Sequence, residues 1–252
     1  MAFGDAEAVP QGAERGSGGD GEADPSHWLR WHAPYADPSS NLSRRLRAVQ
    51  GMVREVLDAM PNPESSPNPE TFRMVSMCAG QGRDVIDVLA SHPRREAVSA
   101  LLVELHPALV AFARARAVEA GVDQQVQVRQ GDAAQSRWYV DYVPADLVLV
   151  CGVFGNISAS DITRTIQALP GWCKEGAHVI WTRHRRPPDA TPAIRADFAE
   201  AGFTELAFVA PEGTVMTVGH HRLDVVASES DTARFDADQT LFEFVGDGFA
   251  PA

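Results

Sequence analysis

From residue 72 onward, short apolar runs alternate with longer segments of mixed polarity. Residues 72–78, 98–103, 126–129, 145–151 and 177–182 read as strands, and the run Ala-Asp-Leu-Val-Leu-Val-Cys at 145–151 is apolar enough on both faces to lie centrally in a parallel sheet. Between them, residues 80–90 open as a glycine-rich turn and continue as a helix. Residues 107–120 form a second helix, with Pro107 in its first turn and Gly121 as its stop. Residues 161–169 and 192–201 are further helices, the last ended by Gly202. Such alternation predicts an α/β, Rossmann-like, doubly wound and mostly parallel sheet. The runs at 203–209 and 214–227 meet through Pro211-Glu212-Gly213 with no helix between them. They predict an antiparallel hairpin that reverses one edge and brings the sheet to seven strands.

Upstream, Leu42, Leu46, Val49, Val53, Val56 and Leu57 recur at three- and four-residue intervals, with Arg44, Arg45, Arg47 and Glu55 among them, so 39–60 is an amphipathic helix. The proline-punctuated stretch 61–69 is a linker. Trp28, Trp31 and Tyr35 crowd a short segment and need a surface to pack on. Residues 1–24 hold little to bury and read as a disordered tail. The expected organisation is an acidic tail (1–24), an aromatic and helical cap with its linker (25–70), one main domain (71–227) and an acidic C-terminal segment (228–252), without internal repeats.

The net charge of −12 changes the picture only after it is located. Residues 1–24 carry six acids against Arg15, and residues 228–252 six against Arg234, so the body is near neutral. No basic footprint for nucleic acid is present, and a small-molecule partner is favoured. No apolar run approaches the ~18–20 residues of a membrane helix, and the acidic, glycine-rich N-terminus lacks the features of a signal peptide. Three scattered cysteines suit neither a disulfide framework nor a zinc site, so a cytoplasmic, reduced setting without a resident metal is expected. Nothing in the sequence argues against a homodimer.

Three features carry chemistry. The first strand ends in Cys78-Ala79-Gly80-Gln81-Gly82-Arg83-Asp84, where glycines let the backbone approach a ligand; an empty strand–helix turn has the same composition. Glu104 ends the second strand, where a carboxylate can accept both ribose hydroxyls or merely cap the next helix. Asp132, in Gln-Gly-Asp-Ala after the third strand, can accept from an adenine amino group, or close an ordinary Asx turn.

Together these residues resemble the class I S-adenosylmethionine (SAM)-dependent methyltransferases, across about residues 71–226. The resemblance implies SAM as cofactor. It places Cys78, Ala79, Gly80 and Gly82 along it, Glu104 and Leu105 at the ribose, Asp132 and Ala133 at the adenine, and Cys151 and Gly152 beside the methionine end. Asn156 and Phe154 would shape the acceptor side, with Trp28, Trp31 and Tyr35 as a lid. Two departures stand out: Ser76 replaces the family's frequent acid in strand one, and Cys78 replaces its first loop glycine. Tyr35 and Arg44 of the cap are candidates to compensate at the methionine amino group. After strand five, Trp181-Thr182-Arg183-His184-Arg185-Arg186 offers Arg183 for an anionic acceptor and His184 as a general base, its ordinary pKa being about 6.5.

The expected reaction is in-line transfer of a methyl group to an oxygen, nitrogen or carbon of a small molecule. A non-catalytic SAM-binding or partner-binding protein is the first rival. A nicotinamide-dependent oxidoreductase is weaker, because Val85 stands where the third glycine of its fingerprint belongs and no Tyr-x-x-x-Lys pair occurs. His220 and His221 are adjacent on a strand and point to opposite faces, so they make no metal dyad; one is expected buried and one exposed.

Overall fold

The computed structural model describes residues 33–60, 70–224 and 235–245. The tail at 1–24, Trp28 and Trp31, the linker at 61–69 and residues 225–227 of the last predicted strand lie outside the described residues.

Seven strands form one sheet: β1 (Phe72–Met77), β2 (Val98–Glu104), β3 (Val126–Gln130), β4 (Ala145–Val150), β5 (Cys173–His184), β6 (Phe203–Val209) and β7 (Met216–Leu223). Their order is β3-β2-β1-β4-β5-β7-β6. The first five strands pair in parallel. The hairpin forms as expected, yet its reversed strand is internal: β7 runs antiparallel to both β5 and β6, and β6 is the edge. This insertion also lengthens β5 beyond its apolar run, because β7 pairs with it as far as His184↔Met216.

Helices cover both faces. On one lie α1 (Asn41–Asp58), α2 (Arg83–Leu89) and α3 (Pro107–Glu119); on the other lie α4 (Ala159–Ala168) and α5 (Thr191–Glu200). Strand alternation divides the core accordingly: Leu147 and Leu149 of β4 join the first layer, Val148 and Val150 the second. Ser40 caps α1 by accepting from the Ser43 amide at 3.1 Å. The α1 stripe Val49, Met52, Val53, Val56 and Leu57 is buried with α2 and the sheet, so this helix completes the main core. Since α2 follows β1 onto one face and α4 follows β4 onto the other, a crevice opens at the C-terminal ends of these two strands. No helix among the described residues is long and apolar enough to cross a membrane.

Two expectations need correction. The acidic C-terminal segment is not separate from the domain over 235–245. Leu241 and Phe242 are buried, the Leu241 amide donates to Ala134 O at 2.9 Å, and the Val245 amide donates to Asn156 O at 2.9 Å. Its acids hid a short apolar cluster that the second layer needs. His220 and His221 do face opposite sides, but both are buried, because internal β7 is covered on both faces. His220 lies 2.9 Å from His178, and His221 stacks on Phe198 at 4.3 Å.

Candidate functional site

The turn after β1 takes its shape from three residues in the left-handed region: Cys78 (φ 49°), Gly80 (φ 56°) and Gly82 (φ 69°). Cys78 therefore keeps a glycine-like backbone while carrying a side chain, at a cost of about 1–2 kcal/mol. The Ala79 amide reaches Val103 O at 3.0 Å, and the Gly80 amide donates to Glu104 Oε2 at 2.8 Å. The other carboxylate oxygen, Oε1, accepts from the His106 amide at 2.9 Å. Register aligns this contact: Met77 of β1 lies beside Val103 of β2, so both strands end at one level.

Glu104 is buried, and burial holds its pKa above the ordinary value against the pull of the His106, Gly80 and Leu105 amides. Each carboxylate oxygen offers two lone pairs, and one amide on each leaves capacity for a pair of hydroxyls. Leu105, next in the chain, is 62% exposed, an apolar surface at the mouth of the crevice. Asp132 closes an Asx turn onto the Ala134 amide at 3.0 Å and receives Gln135 Nε2 at 3.3 Å. Ala133 is buried, and its carbonyl accepts from the Tyr139 hydroxyl. The Cys78 thiol is pushed well above its ordinary pKa by burial first and by Glu104 and Asp132 second, which makes it a poor nucleophile.

Toward β4, the cap enters the site through a residue that the sequence reading passed over. Arg44 turns away and donates to Glu212 O in the β6–β7 connection. Arg45 is the inward arginine: it is 5% exposed, its Nη2 donates to the Tyr35 hydroxyl at 2.7 Å, and its Nε has no hydrogen-bond partner. The signal was present, since Arg45 falls four residues before Val49 and eight before Val53, on the buried stripe. A cation on such a stripe is unusual without a partner to hold. Arg83 stacks over the Tyr35 ring at 5.3 Å. Asp84, also passed over, stands half-buried in the first turn of α2. Burial raises the pKa of its carboxylate, and Arg45 pulls it down.

The loop after β4 is tied to β5. The Gly152 amide donates to Thr182 Oγ1 at 2.9 Å, and Asn156 Nδ2 donates to Gly152 O at 2.7 Å. Asn156 thus spends its amino group on its own loop. Phe154 does not line the acceptor side: it is fully buried against Trp181 and Phe198, and only its carbonyl meets Arg183. Arg183 and His184 approach each other around Gly155, where a Cβ would lie 3.9 Å from Arg183 Nη1 and 4.0 Å from His184 Cδ2. Burial, then Arg183 and Arg186, lower the His184 pKa, so the ring is neutral near pH 7. Its Nδ1 accepts from the Arg186 amide at 3.3 Å, which leaves the proton on Nε2. In this tautomer His184 presents an Nε2–H donor. Trp31 lies outside the described residues.

Comparison with known proteins gives a family and a fold. A family model described as "Putative methyltransferase" matches residues 43–193, more than half of the chain. Among solved structures, the chain is similar to magnesium protoporphyrin IX methyltransferase from Synechocystis, with TM-score 0.58 and 14% identity over 79% of this chain and 91% of that one. It is also similar to an O-methyltransferase family protein from Burkholderia thailandensis, with TM-score 0.53 and 14% identity over 81% and 68%. A precorrin-6y C5,15-methyltransferase from Geobacter metallireducens gives TM-score 0.50 and 14% identity over 71% and 88%. No curated protein matches by sequence.

Proposed function

The chain belongs to this methyltransferase family, and from that premise we propose that it binds SAM and passes its methyl group to a small-molecule acceptor. The observation that carries this reading is the Glu104 carboxylate, buried at the end of β2, held by the Gly80 and His106 amides and left with lone pairs for a ribose. Asp132 and Ala133 stand at the adenine end, with exposed Leu105 as an apolar face nearby. Cys151 and Gly152 stand at the methionine end. SAM supplies a sulfonium-bound methyl, an electrophile already activated, for in-line displacement by the acceptor nucleophile. The chain's part is then to align the acceptor within about 3 Å and exclude water.

Arg183 and the Nε2–H of His184 favour an acceptor bearing an anionic oxygen, such as a carboxylate or phenolate, whose nucleophile needs little help from a base. Asn156 holds the loop that carries Gly152. We place the reaction in the reducing cytoplasm, where the free thiols Cys78, Cys151 and Cys173 persist.

Titration calorimetry with SAM, its demethylated product and NADPH tests the cofactor. Methyl-labelled SAM with a panel of carboxylate, phenol and amine acceptors tests the transfer. NADPH binding in the absence of SAM binding would end the reading. Tight SAM binding with no transfer to any acceptor would assign the chain to the non-catalytic binders.

A further inference from the structure

The C-terminal segment has no part in holding SAM, yet it runs from one loop of the crevice to another. We infer that residues 235–245 wall the acceptor subsite, with Phe244 and Val245 receiving the apolar body of an amphipathic anion whose charged end is taken by Arg183. This acceptor class rests on the SAM reading above and is narrower than an anionic oxygen alone.

Backbone bonds lay the segment along the α4 side of the crevice. At one end it joins the loop after β3, which carries Asp132 and Ala133: the Ser136 amide donates to Gln239 O at 3.0 Å, the Leu241 amide donates to Ala134 O at 2.9 Å, and Thr240 forms an antiparallel bridge with Gln135. At the other end it joins the loop after β4: Phe244 bridges Ile157, and the Val245 amide donates to Asn156 O at 2.9 Å. The Glu243 amide donates to Asp161 Oδ2 at 3.2 Å. In the sheet β3 and β4 stand three strand spacings apart, about 14 Å. The four steps from Thr240 to Phe244 cover about 13–14 Å of extended chain. Buried Leu241 and Phe242 anchor the segment in the second layer. Phe244 and Val245 are therefore fixed against the acceptor-side loop.

Polarity divides along this wall. The Phe244 ring packs edge-on against Phe242 at 5.4 Å and is 37% exposed, and Val245 is 61% exposed. Asn156, which holds the Val245 amide, follows Gly155, the residue flanked by Arg183 Nη1 and His184 Cδ2. Arg183 spends Nη1 on Phe154 O, while its Nε is buried without a hydrogen-bond partner. An unanswered guanidinium donor beside two exposed apolar side chains matches a molecule with a carboxylate at one end and an aromatic or aliphatic body at the other. Burying that body adds affinity that a bare anion on a half-buried arginine lacks. Exposed Glu243, between Phe242 and Phe244, disfavours a second anion at this wall, so the body is uncharged.

Three probes separate the two halves: acetate (anion only), naphthoate (anion and body) and naphthamide (body only). Calorimetry on the full chain, saturated with the demethylated product of SAM, reads their affinities. Naphthoate should bind at least about tenfold more tightly than either of the others. Phe244→Ser and Val245→Ser should each weaken naphthoate and naphthamide by about three- to tenfold, spare acetate, and keep the demethylated product within about twofold. Arg183→Met should bring naphthoate down to the level of naphthamide. Val245→Ser changes a side chain that is mostly in solvent, so it carries the test if thermal denaturation shows Phe244→Ser to be unfolded. Naphthoate binding no tighter than acetate, or both serine variants leaving naphthoate unchanged, overturns the wall and leaves the SAM reading standing. A parent dimer that Phe244→Ser splits in sedimentation, with naphthoate affinity unchanged, assigns the surface to a second copy and also overturns the wall. Failure of the parent to bind the demethylated product overturns the SAM reading and the wall with it.

Discussion

A Cβ added at Gly219 on β7 would sit 2.2–2.5 Å from three atoms of the Trp181 indole. The indole cannot recoil. It is fully buried, stacks on Phe198 at 6.0 Å and 10°, and touches Phe154 at 6.0 Å. Its Nε1 also donates to His221 Nδ1 at 3.2 Å. Overpacking of this kind costs about 1–3 kcal/mol, and displacement of the indole N–H adds about 1 kcal/mol. Removing glycine from a strand returns about 0.5–1 kcal/mol. Gly219→Ala is therefore expected to destabilise by about 1–3.5 kcal/mol, or roughly 2–14 °C in Tm for a chain of this size. Urea denaturation followed by circular dichroism and tryptophan fluorescence reads the change. Trp181→Phe removes the indole atoms nearest the new methyl, so the double variant should be more stable than the sum of the singles predicts, by at least about 1 kcal/mol. The Gly80–Glu104 pairing lies across the sheet, and SAM affinity should move by less than about threefold in Gly219→Ala. A variant as stable as the parent, or strict additivity with Trp181→Phe, would refute the packing argument.

Other expectations concern the site and pH. Glu104→Gln should weaken SAM by about 10–100-fold, because one face of the amide opposes an N–H that the carboxylate accepted. Since burial raises the Glu104 pKa, parent affinity should fall on acidification at a higher pH than an ordinary glutamate would give, and Glu104→Gln should flatten that profile in calorimetry between pH 5 and 8. His184→Gln preserves a donor; it should keep methyl transfer within about tenfold, whereas a general base would lose about 10²–10⁴-fold, and kcat and KM measured separately decide between them. His220 and His221 have pKa values lowered to about 4 by burial. The unfolded chain therefore binds more protons than the folded one between about 6.5 and 4, and stability should fall as pH drops through that window. Denaturation midpoints at pH 7, 5.5 and 4.5 measure the slope, and His221→Phe should make it shallower.

The parallel strands and their helices were legible because each carries its own local signal. β4 is apolar on every face that a central strand must bury, Pro107 and Gly121 bracket α3, and Gly80 and Gly82 mark a turn that must pass through positive φ. The positions of Glu104 at the end of β2 and Asp132 just after β3 were legible because strand ends in a parallel sheet converge on one crevice, so position along the chain stands in for position in space. Arg44 was preferred to Arg45 because both are one residue apart in a helix, and only the packing of α1 decides which points inward. The C-terminal segment was read by its charge, while its contribution to the core comes from Leu241 and Phe242.

What the sequence by itself determined was the periodicity, and through it the element types and the sheet class. Tertiary structure alone decided everything that depends on which surfaces meet: β7 inserted inside the sheet, which buries both His220 and His221; Phe154 in the core; the His184 Nδ1 lone pair facing the Arg186 amide; and Arg45 turned inward onto the Tyr35 hydroxyl. The physical reason is range. Propensity and amphipathicity act over a few residues, whereas burial, tautomer and charge pairing are fixed by groups many residues away that only the folded chain brings into contact.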